Sequence, residues 1–282
     1  MARIKRIKAE YEALYHVVSR IANKAFLLND ANRKNTFVNM LHRAAEFSGV
    51  EVVTYVVMDN HFHLCVRVPR KAEKVSEAEV LRRVGVLYGE DRRGALEKRL
   101  ADFRAVCDES SANSEIERYL VRMGDLSEFM KTFKQRVSQW YNSNYDHEGT
   151  LLAGRFKSVL VENGHYLRNL IAYIHGNPIR AGLVKRAADY EWSALGAAKK
   201  GDSRVKKGLS LAGVGEGAGG FVVRDGRFSN GMIIGGREFV SAMASKNAHC
   251  FGQVAVKIKP YILGTLKTYA THGQRSEPPK VA

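Results

Sequence analysis

His61 and His63 are separated by one residue inside an alternating apolar run that covers residues 56–68. In a β-strand, residues two apart point to the same face, so this run would place both imidazoles side by side and send Phe62 to the core. Two imidazoles in that position can bind a metal ion, although a complete site needs further ligands. The alternative is that both histidines are half-buried strand residues, hydrogen-bonded to their neighbours.

A second group of residues with chemical potential lies on a helix predicted to begin near Tyr166. At 100° per residue, Tyr173 and Asn177 share a face that lies beside the apolar stripe of this helix. An amide oxygen is a suitable third ligand for a hard divalent cation, and a tyrosine one turn earlier would lie next to that ion. Taken singly, Tyr173 is typical of a boundary tyrosine. Asn177 precedes Pro178, which disfavours the α conformation at Asn177 and predicts that the helix ends near Asn177 and Pro178.

Strands and helices in the order β-α-β-β-α-β-α are predicted to position these residues. The predicted strands cover 13–21, 50–58, 61–69 and 156–162, and the predicted helices begin after Asp30, near residue 126 and near residue 166. The second and third strands are joined through Asp59 and Asn60 as a tight hairpin. This order predicts an α+β fold with a ferredoxin-like (RRM-like) antiparallel sheet and with helices packed on one face.

The composition of the 282-residue chain predicts three parts. Residues 1–198 contain the predicted strands and form the expected catalytic domain, with an inserted helical arm at about 71–125. Residues 199–220 are rich in glycine and predict a linker. Residues 221–282 predict a small C-terminal appendage, whose excess of basic residues would suit contact with DNA.

The net charge of +16 predicts an anionic partner, of which nucleic acid is the commonest. Acidic and basic residues nearly balance in 71–125, so the arm is the part least expected to lie along a phosphate backbone. No apolar stretch approaches the ~20 residues of a membrane span. The N-terminal residues lack the pattern of a signal peptide, and the three cysteines form no CxxC pair. We therefore expect a cytoplasmic protein without a membrane partner.

Several basic and aromatic side chains near the predicted site are candidates for contact with nucleic acid. For each of them, a solvated cation or an ordinary core aromatic is the alternative. Trp192 is a further candidate for stacking on a base. The candidates for phosphate contact are Arg20, Lys131, Lys134, Arg155 and Lys157, and Phe156 is a candidate for base stacking.

The sequence resembles the single-tyrosine HUH transposases, and especially the REP-associated tyrosine transposases of bacteria. In that resemblance His61 and His63 match the metal-binding HUH histidines, Tyr173 matches the nucleophile, and Asn177 matches the polar ligand one turn later. The resemblance covers about residues 1–196. It rests on five segments that occur in order, namely 13–17, 58–64, 154–158, 173–184 and 190–193.

The resemblance implies cleavage and strand transfer of single-stranded DNA at hairpin-containing sites, as in DNA transposition. A covalent 5′-phosphotyrosine would form at Tyr173 with the help of Mg²⁺ or Mn²⁺, in a monomer or a homodimer. Two alternatives stay open at this point. One is a non-catalytic module whose ferredoxin-like sheet binds nucleic acid, and the other is a decayed relative that binds DNA without cutting it.

Overall fold

The computed structural model describes residues 6–7, 9, 11–70, 75–211, 228 and 231–251. None of the helices within these ranges is long and apolar enough to cross a membrane. The elements of the described chain are, in order, β1 (Ala13–Arg20), α1 (Ala31–Ser48), β2 (Glu51–Val57), β3 (His61–Val68), α2 (Glu77–Tyr88), α3 (Glu90–Ala105), α4 (Glu109–Leu120), α5 (Leu126–Asn144), β4 (Lys157–Val161), α6 (His165–Arg180), α7 (Ala194–Lys199), α8 (Ser203–Leu211), β5 (Ile233–Ile234), α9 (Arg237–Lys246) and α10 (Ala248–Phe251).

The strands form one sheet in the order β2-β3-β1-β4-β5. The first four strands pair antiparallel, with the central strand β1 between β3 and β4. This is the arrangement of a ferredoxin-like sheet. The short strand β5 pairs parallel to β4 and extends the sheet by one strand. The predicted α+β fold with a ferredoxin-like sheet is confirmed.

Residues of β3 alternate between two covered faces of the sheet. Phe62 is fully buried, and its ring lies 5.1 Å from that of Phe37 in α1 and 5.8 Å from that of Phe133 in α5. His63 points to the opposite face, where its ring lies 5.9 Å from that of Tyr173 in α6. The expectation that the helices pack on one face is therefore wrong. The reason is visible in β1, where seven of eight residues are buried, since such a strand needs cover on both faces.

Helices α2, α3 and α4 occupy the position of the predicted arm, between β3 and α5. Ser76 caps the start of α2 by accepting a hydrogen bond from the backbone N–H of Glu79, and Asp108 caps α4 in the same way. The apolar faces of the three helices are buried, with Val84 and Leu96 fully or almost fully enclosed. The arm therefore has a small core of its own that continues the core beneath α1.

The C-terminal part of the chain is packed against the sheet more closely than the sequence predicts. A glycine-rich linker is predicted over 199–220, but Ser203–Leu211 of that range form α8. Gly208 permits this helix to touch β2, because a Cβ at Gly208 would lie 2.6 Å from the carbonyl oxygen of Val53. Residues 212–220 and most of the predicted appendage lie outside the described residues, and the division into domains stays a prediction.

The segment before α7 is locked onto the edge strand β2. The hydroxyl of Tyr190 donates to the carbonyl oxygen of Val57 at 2.8 Å, and the N–H of Val57 donates to the carbonyl oxygen of Trp192 at 2.9 Å. Ser193 caps α7 by accepting from the N–H of Gly196 at 3.0 Å. A Cβ at Gly196 would collide with the carbonyl oxygen of Tyr190. The close backbone approach at this turn therefore requires glycine.

Gly196→Ala is expected to lower the free energy of unfolding by about 2 kcal/mol, because the backbone of the turn must move to admit the methyl group. Gly94→Ala is the matched control. Gly94 lies inside α3 with no atom within 4 Å of an added Cβ, so its replacement should raise the free energy of unfolding by about 0.5–1 kcal/mol. Urea denaturation of the two variants measures both changes, and equal stability of the two would contradict this account.

Candidate active site

A cleft of about 620 Å³ lies between α6, the end of β1 and the start of β3. It contains seven of the ten residues that the sequence predicts for the site, although they come from separate parts of the chain. The four predicted catalytic and metal-binding residues are all among them. The seven are Arg20, His61, His63, Arg155, Lys157, Tyr173 and Asn177.

The other three predicted residues lie outside the cleft. Lys134 donates from Nζ to the carbonyl oxygens of Ala153 at 3.2 Å and Gly154 at 2.5 Å, so it holds a loop that forms one wall of the cleft. Lys131 lines a different cleft on α5. Phe156 packs beneath the guanidinium of Arg6, 3.7 Å from the ring centre.

Trp192, the further candidate for base stacking, is also engaged within the protein. Its Nε1 donates to the side-chain oxygen of Asn35 at 3.1 Å, and the ammonium of Lys34 lies 4.2 Å from its ring centre. Lys34 in turn forms an ion pair with Asp59 at 2.6 Å. The indole therefore ties the segment before α7 to α1.

The two histidines of β3 lie side by side, as alternation along the strand predicts. Their ring centres are 5.3 Å apart. Nδ1 of His61 lies 2.7 Å from the side-chain oxygen of Asn60. Because an amide oxygen only accepts hydrogen bonds, Nδ1 of His61 is the donor in this contact.

A buried histidine behind His63 sets the orientation of its ring. Nδ1 of His16 lies 2.6 Å from the carbonyl oxygen of Phe228 and must donate to it, so Nε2 of the neutral His16 ring accepts. That Nε2 lies 2.9 Å from Nδ1 of His63, which therefore donates. Nε2 of His63 is left with the lone pair. Nε2 is therefore the ring nitrogen through which His63 could bind a metal ion.

Burial keeps this histidine chain uncharged. It lowers the pKa of His16 to about 4, although the hydrogen bond to Phe228 opposes the shift. Burial, followed by the neighbouring His16 and His61, lowers the pKa of His63 well below its ordinary value. At neutral pH the rings of His16 and His63 are therefore neutral. A neutral imidazole is the form of His63 that can bind a metal ion.

Tyr173 projects from α6 toward the histidines. Its ring centre lies 5.9 Å from that of His63 and 4.7 Å from that of Phe228, and the residue as a whole is 4% exposed. The guanidinium of Arg180 lies 4.8 Å from the ring centre and donates to the backbone oxygen of Tyr173 at 2.9 Å. A hydrogen bond between Oγ1 of Thr54 in β2 and Nε2 of His175 in α6, 2.8 Å long, anchors this helix to the sheet.

Asn177 is oriented by the proline that follows it. The sequence predicts that the helix ends near Asn177 and Pro178, whereas α6 continues to Arg180 with Pro178 inside it. Pro178 has no N–H to donate to the carbonyl oxygen of Ile174, four residues earlier. The side-chain amide of Asn177 donates to that oxygen at 2.9 Å and to the oxygen of Tyr173 at 3.2 Å. With its NH₂ group held by the helix, the side-chain oxygen of Asn177 is left for the cleft.

The charge of the cleft is positive throughout its described lining. Arg20, Arg155, Lys157 and Arg180 line it, and no aspartate or glutamate does among the residues that the structure describes. A cleft with cations on several walls and no carboxylate attracts phosphate groups. It also leaves any bound metal ion without an anionic protein ligand.

The donors of the cleft fit a divalent cation that shares its ligands with a substrate. Two imidazoles and one amide oxygen offer three contacts, fewer than Mg²⁺ or Mn²⁺ requires. Within the described chain, no group of three His, Cys, Asp or Glu residues completes a metal site. The remaining ligands would be phosphate oxygens and water. His61, His63 and Asn177 therefore suit an ion that binds together with DNA.

Three residues around Tyr173 were missed by sequence reasoning. His16 carried a usable signal, because it lies on a strand in an alternating pattern like that of His61 and His63. Arg180 follows Tyr173 by seven residues, which places it on the same face of α6 two turns later. Phe228 carried no signal, since it lies far along the chain from every other residue of the cleft.

The α+β fold, with a histidine pair facing a tyrosine on a helix, has the layout that the resemblance to the HUH class implies. Comparison of the sequence with models of known protein families finds a match to one family. Residues 9–82 match the family model described as "Transposase IS200 like". This match over part of the chain supports the resemblance seen in the sequence. The matched segment contains His16, His61 and His63, whereas Tyr173 and Asn177 follow it.

Among solved structures, one described as "Structure of the REP associates tyrosine transposase bound to a REP hairpin" is similar to this chain. The identity is 14% and the TM-score is 0.43, and the similarity covers 79% of this chain and 100% of that chain. The comparison with curated proteins finds no match.

Proposed function

We propose that the protein cleaves and rejoins single-stranded DNA at hairpin-bearing sites during DNA transposition, with Tyr173 as the nucleophile. The observation that carries this proposal is the composition of one cleft, in which Tyr173, a histidine pair and Asn177 lie among four cations with no carboxylate among the described lining. The family match over residues 9–82 supports the class of reaction.

In the first step, the Oη atom of Tyr173 attacks the scissile phosphorus. A bond forms between Oη and phosphorus while the bond from phosphorus to the 3′-oxygen breaks. The phenolic proton is lost to the solvent and the leaving 3′-oxygen gains one, so the step needs no oxidant and no nucleotide cofactor. A 3′-hydroxyl of the same or another strand can reverse the reaction, so the 5′-phosphotyrosine conserves the energy of the bond for rejoining.

His61, His63 and Asn177 would bind a divalent cation, Mg²⁺ or Mn²⁺, beside Tyr173. Such an ion supplies Lewis-acid polarisation of the scissile phosphate, worth several kcal/mol of transition-state stabilisation. The protein's own part is to fix the ring nitrogens and the amide oxygen in place. His16 does this for His63, Asn60 does it for His61, and the helix carbonyl oxygens do it for Asn177.

Arg20, Arg155, Lys157 and Arg180 would bind the phosphates on either side of the scissile bond. Because Tyr173 lies on a fixed helix, the DNA has to bend to bring one phosphate to its hydroxyl from the cleft side. A single strand at the foot of a hairpin can adopt that conformation at lower cost than a stacked duplex.

The test is incubation of the full-length protein with end-labelled hairpin oligonucleotides from the DNA that flanks its own gene, in Mg²⁺, Mn²⁺ or EDTA, followed by a denaturing gel. We expect a covalent protein–DNA adduct that forms with the metal ions, disappears in EDTA and is destroyed by protease. Binding without an adduct under every metal and hairpin tried would instead support the non-catalytic or decayed alternative.

A further inference from the structure

A second cleft, of about 340 Å³, lies where the end of α2 meets α5. It is separate from the candidate active site and shares none of its lining residues. Arg122, Lys131 and Arg136 supply three cations to it, and Glu128 supplies one carboxylate, which lies 3.5 Å from Lys131. The two arginines therefore give this cleft a net positive charge.

Both arginines are held against aromatic rings. The guanidinium of Arg122 lies 4.9 Å from the ring centre of Phe47 and 5.8 Å from that of Tyr88. Arg122 also donates to the hydroxyl of Thr132 at 3.0 Å. The guanidinium of Arg136 lies 5.3 Å from the ring centre of Tyr88. Stacking of this kind restricts a guanidinium while leaving N–H donors at its edge for a ligand.

The pairing of these arginines differs from that of other arginines on the arm. Within the described residues, neither Arg122 nor Arg136 forms an ion pair with a carboxylate. By contrast, six arginines of α2, α3 and α4 form ion pairs with glutamates. Those six are Arg82, Arg83, Arg93, Arg99, Arg104 and Arg118.

We propose that this cleft is a second phosphate-binding site for the DNA substrate, with Arg122 and Arg136 as its phosphate ligands. Two guanidinium groups present several N–H donors at fixed angles, which match the oxygens of a phosphodiester. The proposal rests on the proposed function in that DNA is the ligand. It gives the arm a part in DNA binding, where its balanced charge alone predicted none.

Helix α5 connects the two clefts. Lys134 holds the wall of the active cleft through Ala153 and Gly154, and Lys131, one turn earlier on the same helix, lines the second cleft. The two residues are separated by about 4.5 Å along the helix axis. Helix α5 thus contributes to the borders of both clefts, and in the proposed arrangement the stem backbone of a bound hairpin runs across α5 toward Arg122 and Arg136.

The test compares two double variants that lose the same charge from the arm and its border. Arg122→Gln with Arg136→Gln removes the proposed ligands, and Arg93→Gln with Arg118→Gln removes two exposed, ion-paired arginines. Binding of a labelled hairpin oligonucleotide is measured across a salt series in a Tyr173→Phe background, so that cleavage plays no part. Thermal unfolding confirms that each protein folds.

We expect the first double variant to bind about tenfold more weakly at physiological salt. The slope of log K against log salt should decrease in magnitude by about 1.5, since each lost phosphate contact removes about 0.7–0.9. The control pair should keep the wild-type slope. Equal slopes in the two double variants would overturn the proposal. If the first double variant unfolds, Arg136→Gln alone should show about half of the change in slope.

This experiment is independent of cleavage. Adduct formation by the protein with Tyr173 intact tests the proposed function, whereas the salt slope tests the second cleft. If the protein forms the adduct but the two double variants have equal salt slopes, the proposed function stands and the second phosphate-binding site is wrong. If no adduct forms but the salt slopes of the two double variants differ, the second phosphate-binding site stands and the proposed cleavage function is wrong.

Discussion

Tyr173→Phe is expected to abolish the covalent adduct with DNA while leaving the affinity for hairpin DNA within about twofold. The substitution removes only the Oη atom, which is the proposed nucleophile, so the rate of adduct formation should fall by at least about 10³-fold. The aromatic ring stays, and with it the packing against Phe228 and the cation–π contact with Arg180. The four cations of the cleft are unchanged, so phosphate binding should persist.

Tyr166→Phe is the matched control for this prediction. Tyr166 lies on the same helix, near its start, and is packed against the hydrophobic core. Its replacement removes a phenolic hydroxyl from α6 without touching the cleft, so the adduct should form at the wild-type rate. A denaturing gel with labelled oligonucleotide measures the adduct, and a filter-binding titration measures affinity. An adduct that persists in Tyr173→Phe would show that another group is the nucleophile.

The placement of the histidine pair could be predicted because it depends on local geometry. Alternation along a strand fixes which side chains share a face, and the apolar residues around His61 and His63 made the strand clear. The same holds for Tyr173 and Asn177 on α6, where the helical period is enough. In both cases a few consecutive residues contain all the information that the prediction needs.

The end of α6 could not be predicted from local preference alone. Proline disfavours the helix at the residue before it, which is the usual reason to end a helix at Asn177. The structure shows how that cost is offset. The side-chain amide of Asn177 donates a hydrogen bond to the carbonyl oxygen of Ile174, to which Pro178 cannot donate. Packing of the last turn, which contains Ile179 and Arg180, then favours continuation. Tertiary contacts outweigh a local preference of this size.

The neighbours of Tyr173 depended on contacts between distant parts of the chain. Phe228 reaches the tyrosine ring from 55 residues away in sequence, and its carbonyl oxygen also accepts from His16. The sequence around Phe228 is rich in glycine and shows no periodicity. The second layer of helices was missed for a related reason, since one strand pattern is compatible with cover on one face or on both.

His16→Leu is expected to weaken binding of Mn²⁺ by about 10–100-fold, the usual cost of losing a residue that orients a metal-binding histidine. The leucine fills the buried space but offers no acceptor to Nδ1 of His63. That ring can then exchange its proton between the two nitrogens and rotate, so Nε2 no longer faces the cleft with its lone pair. The loss of two buried hydrogen bonds should also lower the free energy of unfolding by about 1–3 kcal/mol.

Two further variants separate orientation of the ring from loss of stability. His16→Gln keeps an oxygen near the position of Nε2, so it should accept from His63 and restore most of the affinity for Mn²⁺. His42→Leu removes a half-buried histidine, whose pKa burial likewise lowers to about 4, from α1, outside the lining of the cleft. It should leave Mn²⁺ binding unchanged. Electron paramagnetic resonance of free Mn²⁺ measures binding without DNA or cleavage. Wild-type affinity in a folded His16→Leu protein would show that the bond from His63 to His16 does not orient a metal ligand.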